Sequence, residues 1–413
     1  MVASDDQPRI ALVGGDGRPS GVPRHIIHLV SALKDDAAIT VISDQDQGGY
    51  TRLGQMGVRH VVVRGLTNRA SIPHVWAGLR GLLSVLKTER PDLIWIHARL
   101  PVLMIRLLLA LRLWRPHCPV VFTHHGIPYG PGYHPLVHAT CKWLEKVLVA
   151  TCPPQNLIFL NHRMAGWVAR DTQAVKLARH RVHILPNCSD LQPLPPSCDE
   201  VLRRLVMTGR TGRQKDYDFA ARLLNALPNH YRLTLCGPGT DDAAFQAHIA
   251  SLTTPEVFSH ITFTGPLPDA RVPLQTADAY LLTSRYEGTP IGALEAFEAG
   301  LPIILRDFDG AEDLLAKHPC GLLIGKADLA TDAIQIDRLL DRYAQDKNTL
   351  RPAIQNVWKE NWSPEIFALN ARAVVKAILQ SPMPHAPDCG RDAQAQHPDH
   401  RKNATARVPR PQP

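Results

Sequence analysis

The chain has 413 residues, 45% of them hydrophobic, with 46 Lys and Arg against 38 Asp and Glu for a formal charge of +8. That length exceeds one ordinary domain and the apolar content can fill two cores, which excludes a small single-core protein. No apolar run approaches the roughly 18 residues that span a bilayer, and the polar start Ser4-Asp5-Asp6-Gln7 is unlike a secretory signal, so a cytoplasmic protein is expected.

The charge is unevenly spread: 22 Lys and Arg against 12 Asp and Glu over residues 1–190, and 19 against 23 over 191–382. A basic face attracts anionic lipid and nucleic acid alike, but no nucleic-acid reading motif accompanies it and no nucleic-acid partner is expected. The 8 cysteines are scattered without zinc-like spacing and read as free thiols in a reducing compartment.

In chain order, Arg9 to Val13 reads as a strand and Arg24 to Leu33 as a helix with Ile26, Ile27, Leu29, Val30 and Leu33 on one apolar face. Between them Gly14, Gly15, Gly17 and Gly21 form a loose glycine-rich turn entering a helix near Val22-Pro23. Such a turn either lets backbone approach a ligand or is merely tight. Thr40–Ile42, Val61–Val63, Leu93–Ile96 and Val120–Phe122 continue as short buried strands alternating with helical stretches, a doubly wound pattern. Two of these strands run into histidines, His97 and the pair His124-His125, and ligands bind at such strand ends. Leu100 to Arg115 is a very apolar helix carrying Arg106, Arg112 and Arg115, either a crossover helix packed on the sheet or an interfacial helix on a membrane surface. Val182 to Leu185 is a strand leading to Pro186-Asn187, and the proline-rich Leu191 to Ser197 is a stiff connector between domains.

The second half opens with a strand, Leu205 to Thr208, ending in Gly209-Arg210, with Lys215 at the next helix start. Two cations so placed can neutralise a diphosphate. Leu233–Cys236 and Ile261–Thr264 are further strands that end in glycine. Ala279–Leu282, a helix from Pro290 closed by Gly300, and Pro302–Leu305 make a βαβ unit of a parallel sheet. Free N–H groups and a positive dipole end fall around Gly288 to Gly292, a phosphate-binding arrangement. Glu287 and Glu295 frame it, and Glu295 sits among Ala293, Leu294, Ala296 and Phe297, where an unpaired charge is costly and a polyhydroxyl ligand would satisfy it. Ser363-Pro364 starts a last helix over Glu365 to Leu379, and beyond Ser381 the composition cannot build a core.

Glu287-Gly288 through Glu295-Ala296, followed by Ala299-Gly300-Leu301-Pro302, resembles the E-x7-E signature of family 4 retaining glycosyltransferases, and the resemblance extends over roughly residues 9 to 380. It implies an α/β GT-B fold, in which two Rossmann-like doubly wound domains face a central cleft and a C-terminal helix crosses back to the first. The expected division is an acceptor-side domain 1–190, a linker 191–200, a nucleotide-sugar domain 201–362, the crossing helix 363–381 and a disordered tail 382–413.

What it implies chemically is transfer of a sugar from a nucleoside-diphosphate donor to a hydroxyl of a glycan or lipid-linked acceptor, with retention and without a protein nucleophile. Glu287 would position the donor sugar and His125 would lie near its reactive carbon. Arg210 and Lys215 would clamp the diphosphate, Gly21, Gly288, Thr289, Pro290 and Ile291 would line the donor site, and Glu295 would bind the ribose hydroxyls. No metal or other cofactor is expected. Cell-envelope or exopolysaccharide synthesis at the inner face of the cytoplasmic membrane is the implied setting, with the basic N-terminal half as the membrane-facing side.

Three positions depart from the family pattern: Ser20 before Gly21, Cys188 after Asn187, and Asp309 before Gly310. They keep a non-catalytic partner subunit open as a rival, beside a nucleotide-sugar epimerase of the same architecture. A metal-dependent transferase would use a D-x-D triplet, and Asp44-Gln45-Asp46, Asp216-Tyr217-Asp218 and Asp307-Phe308-Asp309 comply formally.

Overall fold

The computed structural model describes residues 7–67, 71–127, 129, 134–192, 194, 203–267, 269–308 and 310–380. The expected tail, most of the linker 191–200 and Asp309 lie outside the described residues. All described residues belong to one compact unit.

The first seven strands are β1 (Arg9–Val13), β2 (Ala38–Ser43), β3 (Arg59–Val62), β4 (Leu93–Ile96), β5 (Val120–His124), β6 (Asn156–Phe159) and β7 (Arg181–Ile184). They pair in parallel in the order β3-β2-β1-β4-β5-β6-β7. The second sheet contains β8 (Arg203–Thr208), β9 (Tyr231–Cys236), β10 (Ile261–Gly265), β11 (Ala279–Leu282), β12 (Ile303–Arg306) and β13 (Gly321–Ile324), in the order β10-β9-β8-β11-β12-β13. Helices cover both faces, so central strands bury every side chain: β4, Leu-Ile-Trp-Ile, and β11, Ala-Tyr-Leu-Leu, are buried throughout. Strand order reverses between β1 and β4 and again between β8 and β11, so each sheet opens a crevice beyond its carboxyl ends.

Most elements fall where the pattern places them, with instructive exceptions. The first helix, Gly21–Leu33, starts three residues before Arg24 and takes Gly21 into its first turn. The apolar helix is Arg99–Ala110, shorter than expected: Leu111 ends it and Arg112 turns the chain at φ 58°. Its sheet-facing side, Val102, Met104, Ile105 and Leu109, joins the core of the first domain, as a crossover helix should. Arg106 is not at the surface; it is buried and bonds both Glu145 carboxylate oxygens at 2.8 Å. Burial alone would raise the Glu145 carboxyl, but the guanidinium overrides it and holds it below the usual carboxylate range.

The helix Pro364–Gln380 crosses back. Trp362 packs in the second domain with Phe297 and Leu301, whereas Phe367, Ala371, Val374, Val375 and Ile378 bury against Ile10, Leu12, Ile26 and Leu29 of the first. Ser363 starts the helix by accepting from the Ile366 amide at 3.4 Å. The chain thus changes domain within five residues, and the helix acts as a strap. Phe367→Ala, which leaves a cavity beneath His25 and His28, is expected to cost about 3 kcal/mol of stability in urea unfolding; a loss below about 1 kcal/mol would mean that the strap is not structural.

Candidate active site at the domain crevice

The crevice is built where the carboxyl ends of both sheets meet. The helix Ile291–Ala299 begins after Pro290 and ends at Gly300, whose φ of 71° suits glycine. Its first intrahelical donor is the Ala293 amide, bonded to Pro290 O at 3.0 Å, so the Ile291 and Gly292 amides are left over at the N-terminus. The preceding turn is pressed against the first domain. Asn161 Nδ2 donates to Gly288 O at 3.1 Å, Asn187 Nδ2 to Thr289 O at 2.7 Å, and the Thr289 hydroxyl to Leu160 O at 3.0 Å. A Cβ on Gly288 would stand 2.9 Å from His125 O and from Leu160 Cδ1, so glycine is what allows the approach.

Both glutamates of the motif are paired. Glu287 Oε1 accepts from Lys215 Nζ and from the Ser284 hydroxyl, each at 2.8 Å, and both members of the ion pair are largely buried, at 11% and 15% exposure. Lys215 reaches it by lying across Gly209, where a Cβ would come within 2.4 Å of Lys215 Cε. Glu295 is buried at 2% exposure and pairs with Arg24, which projects from the first helix of the other domain. Sequence reasoning offers a ribose as the partner of Glu295; the structure shows that the protein has its own. Arg210 is exposed just beyond β8. Asp216, which precedes the next helix at φ 51°, is held by Arg285 and Arg306 and is therefore committed to structure.

A cavity of about 290 Å³ opens beside this constellation, lined by His97, His125, Gln214, Glu287 and Gly288 and continuing between Val102, Leu144 and Leu148. The structure therefore brings His125, Glu287 and Gly288 to one space, with Lys215 one hydrogen bond behind. Gly21 does not line it, and a side chain there would meet nothing within 4 Å. Arg24, Asn161, Asn187 and Ser284 are site residues that sequence reasoning missed. Asn187 alone carried a signal, as the residue ending the Pro-Asn turn.

His25, His97 and His125 cluster at the floor of the crevice, with ring centroids 4.8 to 5.7 Å apart. Burial drives the His25 pKa down to about 3, against a raising bond from Asn187, and burial with neighbouring imidazoles holds His97 and His125 well below the ordinary value. Burial also lowers His124, to about 4.

Comparison with known proteins agrees with this geometry. Residues 19–193 match the model of Glycosyltransferase Family 4 and residues 203–342 that of Glycosyl transferases group 1. The chain is similar, at 24% identity, to the UDP-Gal:alpha-D-GlcNAc-diphosphoundecaprenol alpha-1,3-galactosyltransferase of Escherichia coli, over 78% of this chain and 85% of that protein. Two solved structures share its fold: HepE of Anabaena in complex with UDP-glucose, with a TM-score of 0.69 at 17% identity over 90% of this chain and 100% of that one, and sucrose-phosphate synthase of Thermosynechococcus elongatus, with a TM-score of 0.74 at 17% identity over 91% and 100%. Two doubly wound domains with a helix N-terminus at their crevice make a GT-B fold. The chain belongs to the family 4 glycosyltransferases, group 1, and is a glycosyltransferase.

The buried neutral histidines make stability pH-dependent. Their folded pKa values lie below the unfolded value of about 6.5, so the unfolded chain binds more protons between the two and stability falls as pH drops through that window. From pH 7 to 5, each of His25 and His124 is expected to remove up to about 2 kcal/mol. Urea midpoints measured across that range check it; a flat profile would show that these rings are solvated.

Proposed function

We propose that this chain moves a sugar from a nucleoside-diphosphate sugar to a hydroxyl of a glycan or lipid-linked acceptor, with retention at the anomeric carbon. The observation that carries the reading is the Lys215–Glu287 pair, set beside the free helix N-terminus at Ile291-Gly292 and opening on the cavity that His125 lines. In this reading the diphosphate sits on that N-terminus. Lys215 and Arg210 neutralise the charge that builds on it as the bond to the sugar breaks, as preorganised electrostatic stabilisation. Glu287 positions the sugar, and His125 stands near the reactive carbon. Glu295 holds ribose hydroxyls once Arg24 yields. Thr289 and Pro290 shape the turn. With two cations and a dipole on the diphosphate, the transfer step needs no metal ion.

The activity of the E. coli relative, on a diphosphoundecaprenol-linked sugar, supports a lipid-linked acceptor, and the UDP-glucose bound to HepE supports a nucleotide-sugar donor. Among the described residues no helix is long and apolar enough to cross a membrane. Peripheral attachment to an anionic surface is supported by the basic first half and by exposed Leu111, Leu113, Leu136 and Trp143 beside Arg112, Arg115 and Lys142. Polysaccharide synthesis at the cytoplasmic membrane follows as the setting.

Thermal unfolding with UDP, GDP and ADP tests the donor site. One nucleotide at 100 times its dissociation constant is expected to add about 2.7 kcal/mol, and Glu295→Ala and Lys215→Ala are each expected to abolish the shift. If no nucleotide raises the midpoint at millimolar concentration, the donor site is not here and a non-catalytic partner role takes precedence. Co-sedimentation with anionic vesicles is expected at low salt and to weaken at high salt; absence at both removes the membrane reading.

A further inference from the structure

The three histidines on the crevice floor come from three elements: His25 from the first helix, His97 from the end of β4, and His125 from the end of β5. One nitrogen from each lies within 4.8 Å of the others. His25 and His97 are buried at 0% and 1% exposure, and His125 reaches the cavity. Among the described residues, His25 Nε2, both nitrogens of His97 and His125 Nε2 have no hydrogen-bond partner. Buried polar atoms left unpaired cost free energy, and one nitrogen from each of three rings converging on one point indicates a shared ligand.

The tautomer of His25 is fixed from outside the cluster. Asn187 Nδ2 donates to Thr289 O at 2.7 Å, so Asn187 Oδ1 faces His25 Nδ1 at 2.8 Å and must accept its proton. His25 Nε2 is therefore a bare lone pair aimed at the other two rings. A second ring nitrogen donating to an amide or carboxylate oxygen is how protein sites orient a ligating imidazole. Trp95 stacks on His97 at 25° between planes and holds that ring. Among the described residues no carboxylate or thiolate joins the group. Three neutral imidazoles with one open side suit a transition-metal ion and not Mg2+ or Ca2+, which prefer oxygen.

We propose that His25, His97 and His125 bind one divalent transition-metal ion, with Zn2+ as the fitting probe, and that its fourth coordination position faces the cavity. Tetrahedral Zn–N bonds of about 2.0–2.1 Å bring ligand nitrogens to about 3.4 Å, so each ring moves by less than about 1 Å. The ion takes His125 and covers the sugar end of the crevice, which makes the site inhibitory; this consequence rests on the proposed place of His125 beside the donor sugar, whereas the binding itself does not.

The test uses the full chain, stripped with a chelator and then titrated with Zn2+ and, separately, Co2+. One ion per chain is expected, with a rise in the thermal midpoint, because the site exists only in the folded protein. Co2+ is expected to give the intense visible absorption of a tetrahedral nitrogen site. His25→Gln and His97→Gln, each checked for a cooperative thermal transition, should weaken binding by at least the tenfold to hundredfold that loss of a supporting group costs. The proposal is overturned if wild type binds no ion, if the midpoint does not move, if Co2+ shows thiolate charge transfer or an octahedral spectrum, or if folded variants bind as wild type does. An ion held by His385, Cys389, His397 and His400 near the C-terminus would produce the second, third or last of these. Zn2+ should also inhibit sugar transfer reversibly. Binding that passes every direct test but leaves transfer untouched overturns the inhibitory role and, with it, the placement of His125 at the donor sugar.

Discussion

The arrangement depends on one constraint: the turn before the helix Ile291–Ala299 leaves its first amides free while its carbonyls are buried against another domain. Those carbonyls need partners, and the first domain supplies them from Asn161 and Asn187. Only an unsubstituted Gly288 allows so close an approach, since His125 O and Leu160 occupy the space of a side chain. The seam between domains and the free N-terminus of the helix are thus two sides of one turn. The strap Pro364–Gln380 secures the same seam from behind, by apolar burial with one exposed Arg372–Asp36 ion pair at 2.6 Å.

Charge in the crevice follows from that burial. Glu287 and Glu295 lie where an unpaired carboxylate is costly, and each has a cation: Lys215 from its own domain and Arg24 from across the crevice. The two pairs differ in what a ligand must displace. Lys215 can keep Glu287 and still present donors to a phosphate, because an ammonium carries three. Under the proposed donor binding, Arg24 and ribose hydroxyls would compete for one buried carboxylate.

Much of this was legible in the sequence because parallel strands buried on both faces announce themselves as short apolar runs, and because glycine, proline and glutamate at fixed spacing mark the helix Ile291–Ala299. Strand β6, Asn156–Phe159, was not anticipated: it is brief and leads directly into Leu160 and Asn161, so no alternation marks its end. Strand β13 escaped because only Ile324 of its four residues is fully buried. The helical stretch Leu329–Asn361 went unread because its apolar face is sparse and Asp346 interrupts it with non-helical geometry. At the site, the spacing that pairs Glu287 with Glu295 is local and readable, whereas Arg24, 271 residues away in sequence from Glu295, is a partner only by virtue of the tertiary fold. Arg106 shows the opposite error: a lone arginine in an apolar helix resembles a surface anchor until Glu145 is found opposite it.

The Arg24–Glu295 pair adds a step of its own. Glu295 is almost fully enclosed while Arg24 is 38% exposed, so the carboxylate would bear most of the desolvation if the pair were broken without replacement. A diol can replace a guanidinium there, because two hydroxyls supply two donors to the carboxylate, whereas a bare phosphate, anionic and accepting, cannot. Under the proposed donor binding, Glu295 therefore discriminates twice. It accepts the ribose by hydrogen bonding, and it admits the ribose only after the first domain has released it, so that occupancy of the nucleotide site and the contact between domains become linked through a single side chain.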